Sequence, residues 1–266
     1  MSGVVLFDLD GTLSEPRGPV SDETCRELIR LQDSGLKVGI VTGSGLQYVL
    51  EQFRGFSSEV SKNLVANSIE LLPCNGTQRY LPDGGSKDFK MVSPVISMRD
   101  ELGWSAWYRL QRFLAEEQAR IIRLWDNLPY TGNFVSYRTS LLNWCPIGRD
   151  AGPDDRKIFE DFDRQDNFRR SYLNVLKGGF EDIRITVTVK LGGSTSFDIY
   201  PRGWDKSYAL RWYPGSEVWF AGDRCGIDGN DHEIYMSVKS FNRGIEVTSP
   251  CDIPDVVNKI LASGGS

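Results

Sequence analysis

The stretch Val4 to Leu13, V-V-L-F-D-L-D-G-T-L, constrains this chain more than any other. Its apolar run Val4 to Phe7 reads as a buried strand, and Asp8, Asp10 and Gly11 mark where the backbone leaves the sheet. Open parallel sheets take their ligands at this carboxyl end of the strands. Side chains on an extended segment repeat every second residue, so Asp8 and Asp10 share a side. Two carboxylates that close are costly unless a cation or a proton intervenes. A plain D-x-D-G surface turn is the competing reading of the same residues.

The following residues build a sheet around that strand. Ser21 and Asp22 cap a helix running through about Asp33, with Leu28, Ile29 and Leu31 mostly on one face and Gly35 ending it. Lys37 to Val41 is a second buried strand that breaks into T-G-S-G, and a strand, helix, strand order with short links favours parallel pairing by a right-handed crossover. Ser44 then emerges beside Asp8, where a hydroxyl and free N–H groups suit a phosphate oxygen. A simple N-cap for a helix over about Leu46 to Phe53 explains the spacing equally well.

After the apolar stretch Asn63 to Ile69 and L-L-P-C-N-G-T the texture changes. A long amphipathic helix is expected near Arg99 to Trp125, with residues 104, 107, 110 and 114 as its core stripe, and a second over about Asp155 to Leu176. Strand-like runs fall at Phe134 to Tyr137, Leu141 to Trp144, Ile183 to Lys190 and, after a Gly192-Gly193 turn, Thr195 to Tyr200. Such runs joined by tight turns imply an antiparallel sheet with helices on one face. The first texture then returns. Tyr208 to Trp212 reads as a short helix, Glu217 to Ala221 as a buried strand breaking at G-D-R-C-G-I-D-G-N-D-H-E, and Ile253 to Ala262 as a final helix.

The expected fold class is therefore α/β, a doubly wound and mostly parallel sheet core made of residues 1–81 and 201–266. An α+β cap domain built on an antiparallel sheet, residues 82–200, interrupts it, with crossings near Tyr80 to Gly85 and Pro201 to Gly203. Net charge −5 without a long basic run argues against nucleic-acid binding. Small anionic substrates would instead need a local basic pocket. The five cysteines are scattered and lack C-x-x-C spacing, which fits a reduced, cytoplasmic compartment rather than a disulfide framework or zinc site. Neither a signal segment nor a run of eighteen apolar residues occurs, so a soluble, unexported protein without membrane contact is expected.

F-D-L-D-G-T-L resembles the first motif of the haloacid dehalogenase superfamily. Together with S-F-D-I-Y-P-R-G-W-D-K-S-Y, P-I-G-R and the G-D…N-D-H-E loop, it resembles the eukaryotic-type phosphomannomutases over nearly the whole chain. The resemblance implies a nucleophile at Asp8 and an acid and base at Asp10, with Ser44 and Lys206 holding the transferring phosphoryl group. It implies Mg2+ held by Asp8, the main-chain carbonyl of Asp10, Asp223 and, from the same acidic loop, Asp231. Arg138, Arg149 and Arg156 would grip the phosphate that is not reacting, Arg17 in the core would be a further substrate arginine, and Ser196 and Asp198 would read sugar hydroxyls. Guanidinium forks suit a phosphate dianion, although a single arginine is as readily a solvated side chain. His232 belongs to the N-D-H-E loop and reads as structural.

The implied reaction interconverts mannose 6-phosphate and mannose 1-phosphate through an aspartyl phosphate and a hexose 1,6-bisphosphate activator. It supplies mannose 1-phosphate for GDP-mannose and is carried out by a homodimer joined through the cap. A magnesium-dependent sugar-phosphate phosphatase of the same architecture is the alternative.

Overall fold

The computed structural model describes residues 3–84 and 88–263. The chain divides into two compact units, Met1–Val95 with Trp204–Ser266, and Ile96–Gly203. The crossings fall between Val95 and Ile96 and between Gly203 and Trp204. The first comes later than the expected Tyr80 to Gly85, of which Gly85 falls outside the described residues.

In the first unit the order is β1 (Gly3–Phe7), α1 (Asp22–Asp33), β2 (Lys37–Val41), α2 (Leu46–Gln52), α3 (Glu59–Ala66), β3 (Glu70–Leu72), β4 (Tyr80–Pro82) and β5 (Phe89–Met91). The inserted unit carries α4 (Met98–Leu102), α5 (Trp104–Leu124), β6 (Val135–Tyr137), β7 (Leu142–Trp144), α6 (Pro153–Asp166), α7 (Phe168–Asp182), β8 (Val187–Gly192) and β9 (Ser196–Pro201). The first unit then resumes with β10 (Glu217–Gly222), α8 (His232–Lys239), β11 (Gly244–Glu246) and α9 (Ile253–Ser263).

The first unit is a seven-stranded sheet in the order β11-β10-β1-β2-β3-β4-β5. The strands from β11 to β3 pair in parallel, while β4 and β5 add antiparallel at the edge. That edge hairpin moves the first crossing downstream. Its three-residue strands are too short to carry a visible period, so the sequence did not separate them from the insert. Every residue of β1 is buried, and the pleat sends Val5 and Phe7 to one face, Val4 and Leu6 to the other. The first face is covered by Leu28 and Leu31 of α1, Leu64 of α3 and Val256, Val257 and Ile260 of α9. The second is covered by Ala209 and Tyr213, around a 3-10 segment Lys206–Trp212, and by Ile234 and Val238 of α8. Connections leave β1 toward β2 on one side and reach β10 on the other, so the strand order reverses beside β1, where such sheets open their ligand crevice.

The second unit is a four-stranded antiparallel sheet, β6-β7-β9-β8, with its core on one face. Trp144 and Phe197, both fully buried, stack with ring centroids 5.5 Å apart, and Gln118 of α5 accepts from the Trp144 indole at 2.8 Å. Two expected helices are each broken here. Gly103, at φ +75°, separates α4 from α5, and Asn167, in the left-handed region at φ 52°, separates α6 from α7. The stripe on α5 is shorter than expected: Leu110 and Leu114 are buried, but Trp104 is 72% exposed. The strand expected from Ile183 begins only at Val187, because Arg184 turns the chain at φ 54° and Arg109 ties down the Ile183 carbonyl at 2.8 Å.

Candidate active site

Asp8 follows β1 directly and its N–H donates to the Ala221 carbonyl of β10 at 2.9 Å. Asp223 is the first residue beyond β10, so the two carboxylates stand at neighbouring strand ends. Asp231, eight residues on and fully buried, joins them: one ligand oxygen from each of Asp8, Asp223 and Asp231 lies within 4.8 Å of the others. Close approach depends on two glycines. A Cβ at Gly11 would strike the Asp223 carboxylate, and one at Gly222 would meet Asp231 Oδ2 at 2.6 Å. Gly11 also sits at φ +87°, a conformation that side chains resist.

Lys206 completes the cluster from the start of the 3-10 segment, with no exposed surface of its own. Its ammonium donates to Asp8 Oδ1 and, at 2.5 Å, to Asp231 Oδ1. Burial alone would lower the Lys206 amine, but the carboxylates of Asp231 and Asp8 outweigh it and hold the amine above its ordinary range. Lys206 is shared by Asp8 and Asp231, while Asp223 has the Arg224 guanidinium 3.5 Å from its Oδ2. Burial, reinforced by the charges of Asp231 and Asp223, pushes Asp8 up to about 8 despite Lys206. Asp223 is likewise raised, chiefly by burial.

The donor set fits a hard divalent cation. Asp223 Oδ1 is buried without a protein partner, and carboxylate oxygens are what magnesium prefers. Asp231 is placed differently from Asp223. Its Oδ1 holds Lys206, and its Oδ2 accepts from the Arg224 N–H at 3.0 Å.

Asp10 is the other carboxylate of the first motif. Its Oδ1 accepts from the Arg17 N–H at 2.9 Å and from the Tyr48 hydroxyl at 2.6 Å. Burial and the Asp10 charge push the Tyr48 phenol well above its usual range. Arg17 thus meets Asp10 through its backbone, at φ 62°, while its side chain is exposed. Ser44 lies in the loop after β2, beside β1, with its N–H on Thr42 Oγ1 at 3.1 Å and its carbonyl accepting from the Cys74 N–H at 2.9 Å. His232 Nδ1 is 2.9 Å from the Cys225 carbonyl, which pins the loop as a structural residue does.

The remaining expected site residues lie in the second unit. Asn143 and Asp198 pair across β7 and β9, on the face opposite Trp144 and Phe197, and Asn143 donates to Asp198 Oδ1 at 2.7 Å. Arg149 in turn donates to Asn143 Oδ1, so Arg149, Asn143 and Asp198 form one chain. Arg156, mostly buried, donates to the Ala151 and Arg149 carbonyls and to Thr195 Oγ1, at 3.0, 3.2 and 2.7 Å. Ser196 opens β9 next to Thr195 and is buried. Arg138 lies in the β6–β7 turn, where its N–H donates to the Leu141 carbonyl at 2.8 Å. Asn143 and Tyr48 were missed by the sequence reasoning. The alternation of Leu142, Asn143 and Trp144 marks Asn143 as facing away from the core, whereas Tyr48 reads as one more apolar residue of a short helix.

A reversal of strand order beside β1, paired carboxylates at the strand ends, a buried lysine and an inserted antiparallel domain define a haloacid dehalogenase-like fold. A haloacid dehalogenase-like hydrolase from Bacteroides thetaiotaomicron shares that fold, with a TM-score of 0.51 at 14% identity over 98% of this chain and all of that one. At the level of sequence, a family profile described as eukaryotic phosphomannomutase matches residues 25–263. The phosphomannomutase of Triticum aestivum is 32% identical over 98% of this chain and 96% of its own length. That of Nicotiana benthamiana is 34% identical over 94% and 90%. The chain belongs to the eukaryotic phosphomannomutase family.

Proposed function

We propose that this protein is a phosphomannomutase, interconverting mannose 6-phosphate and mannose 1-phosphate. The observation that carries the reading is the buried cluster of Asp8, Lys206, Asp231 and Asp223 at two adjoining strand ends, in a member of that family.

An Asp8 carboxylate oxygen attacks phosphorus in a hexose 1,6-bisphosphate, and the bond from phosphorus to the sugar oxygen breaks as the aspartyl phosphate forms. Asp10 gives its proton to the departing sugar oxygen. A hydroxyl of the incoming sugar monophosphate then attacks the same phosphorus, returns its proton to Asp10 and frees Asp8. Magnesium, when held by Asp8, Asp223 and the Asp10 carbonyl, supplies charge neutralisation to the crowded oxygens. Lys206, kept charged by its two carboxylates, orients Asp8 and faces developing negative charge. Asp231 holds this lysine through Oδ1, beside Asp8 and Asp223 in the same acidic cluster.

The second phosphate is assigned to Arg138 and Arg149 of the inserted unit, with Arg156 shaping the loop that presents Arg149, and Arg17 is kept as a further substrate arginine. The sugar hydroxyls are assigned to Ser196 and Asp198. The proposed setting is a cytoplasmic homodimer feeding GDP-mannose synthesis. Two features support it: among the described residues no helix is long and apolar enough to cross a membrane, and α5 exposes Trp104 and Tyr108. Sedimentation as a single 30.0 kDa chain would argue against the dimer.

Phosphorus NMR with mannose 1-phosphate, magnesium and a catalytic amount of glucose 1,6-bisphosphate tests the reading. A rising 6-phosphate signal is expected, whereas inorganic phosphate as sole product would make the protein a phosphatase. Arg149→Ala is expected to raise KM and slow the mutase while phosphate release persists.

A further inference from the structure

Asp10 is held at one oxygen from two sides. The Arg17 N–H and the Tyr48 hydroxyl both reach Oδ1, at 2.9 and 2.6 Å. Neither donor is accidental to the fold. Arg17 adopts φ 62°, which turns its N–H back toward a residue seven positions earlier. Tyr48 is carried by α2, whose start follows the loop after β2, and its half-buried ring packs on the core alongside Leu46 and Leu50. A ring so anchored has one place to put its hydroxyl. At 2.6 Å the contact has the short separation of a phenol donating to a carboxylate.

The geometry points to Tyr48 as a positioning residue for the acid and base step, tying Asp10 down through Oδ1 so that Oδ2 is the oxygen that exchanges a proton with the sugar. This rests on the phosphotransfer reading given above. With the Arg17 N–H and the Tyr48 hydroxyl both donating to Oδ1, its two lone pairs are taken, and a proton carried by Asp10 belongs on Oδ2. The paired donors also limit rotation of the carboxyl group about its last side-chain bond. A carboxylic acid misplaced by about 1 Å forfeits on the order of a hundredfold in rate, which sets the scale of the effect.

Tyr48→Phe removes the hydroxyl and keeps the packing ring. Two phosphoryl donors separate its roles. Glucose 1,6-bisphosphate releases a sugar oxygen that needs a proton as the bond to phosphorus breaks, while p-nitrophenyl phosphate releases a phenolate that leaves unaided. With the bisphosphate as activator, the variant is expected to lose about 10- to 100-fold in mutase kcat. KM for mannose 1-phosphate should stay within about twofold, and phosphorylation of Asp8 by p-nitrophenyl phosphate should proceed at the parent rate, because only the proton-dependent step uses Asp10. In an Asp10→Asn background the same substitution should add nothing.

An equal loss with both donors would mean that Tyr48 merely supports the fold, and an unchanged kcat or an isolated rise in KM would assign it no part in the proton step. Each of these results overturns the proposal and leaves the phosphotransfer reading intact. A parent protein that is phosphorylated by neither donor overturns both.

Discussion

Replacing Lys206 by Met tests the electrostatic design of the site in a way that does not depend on turnover. The substitution keeps an unbranched side chain only one atom shorter and deletes a charge that has no contact with water. The Lys206 amine is raised above its ordinary value of about 10.4, so its contribution to stability is complete below that value and is lost only as pH rises through the higher folded-state value. A measurement at pH 7 therefore sees all of it. At the 2.5 Å separation from Asp231 and an effective dielectric constant of about 20, the gross attraction is roughly 7 kcal/mol. Desolvation of both ions cancels part of this, and breaking such a pair by removing one partner costs about 3–5 kcal/mol. Lys206→Met should lose that amount without added metal. Asp231→Asn should also destabilise, and the double variant should lose at least about 2 kcal/mol less than the sum of the two single losses. Urea-dependent hydrogen exchange of the β1 and β10 amides reads the stability of the unit that holds the pair. Losses that simply add, or a Lys206→Met protein within about 1 kcal/mol of the parent, would refute the reasoning.

Two further outcomes follow from backbone and burial. Gly11→Ala must place a methyl group against the Asp223 carboxylate at φ +87°, so it should cost about 2 kcal/mol or more and weaken magnesium binding at least about tenfold by titration calorimetry; parent-like affinity would detach Gly11 from the metal set. Of the five cysteines only Cys251 is exposed, and burial pushes Cys25 up to about 12, so a disulfide reagent should titrate one thiol per native chain and five after unfolding. Rapid reaction of several thiols in the native protein would contradict the placement of Cys25, Cys74, Cys145 and Cys225.

The first motif was legible because everything that defines it is local. Four apolar residues ending at D-L-D-G fix a strand, its carboxyl end and the side on which two carboxylates project, and the structure places Asp8 at that end. The β2 and β10 strands were legible for the same reason, being short apolar runs stopped by glycine. The helix breaks at Gly103 and Asn167 were not, since one glycine or asparagine inside a periodic pattern does not say whether the chain continues or turns. The edge hairpin of β4 and β5 earns its place in the sheet only by hydrogen bonding to β3, a partner that its own residues do not announce.

Amino-acid order alone determined the β1, β2 and β10 strands and the glycine-marked ends where carboxylates gather, because backbone sterics and hydrophobic periodicity act over a few residues at a time. Tertiary structure alone decided that Lys206 is an interior cation and not a solvated one, since its partner Asp8 is 198 positions away. It likewise decided that an aromatic residue of α2 reaches Asp10 and that Asp231 holds the lysine. Charge interactions in a water-free interior depend on distance in space, and that distance exists only after the sheet has brought remote strand ends together.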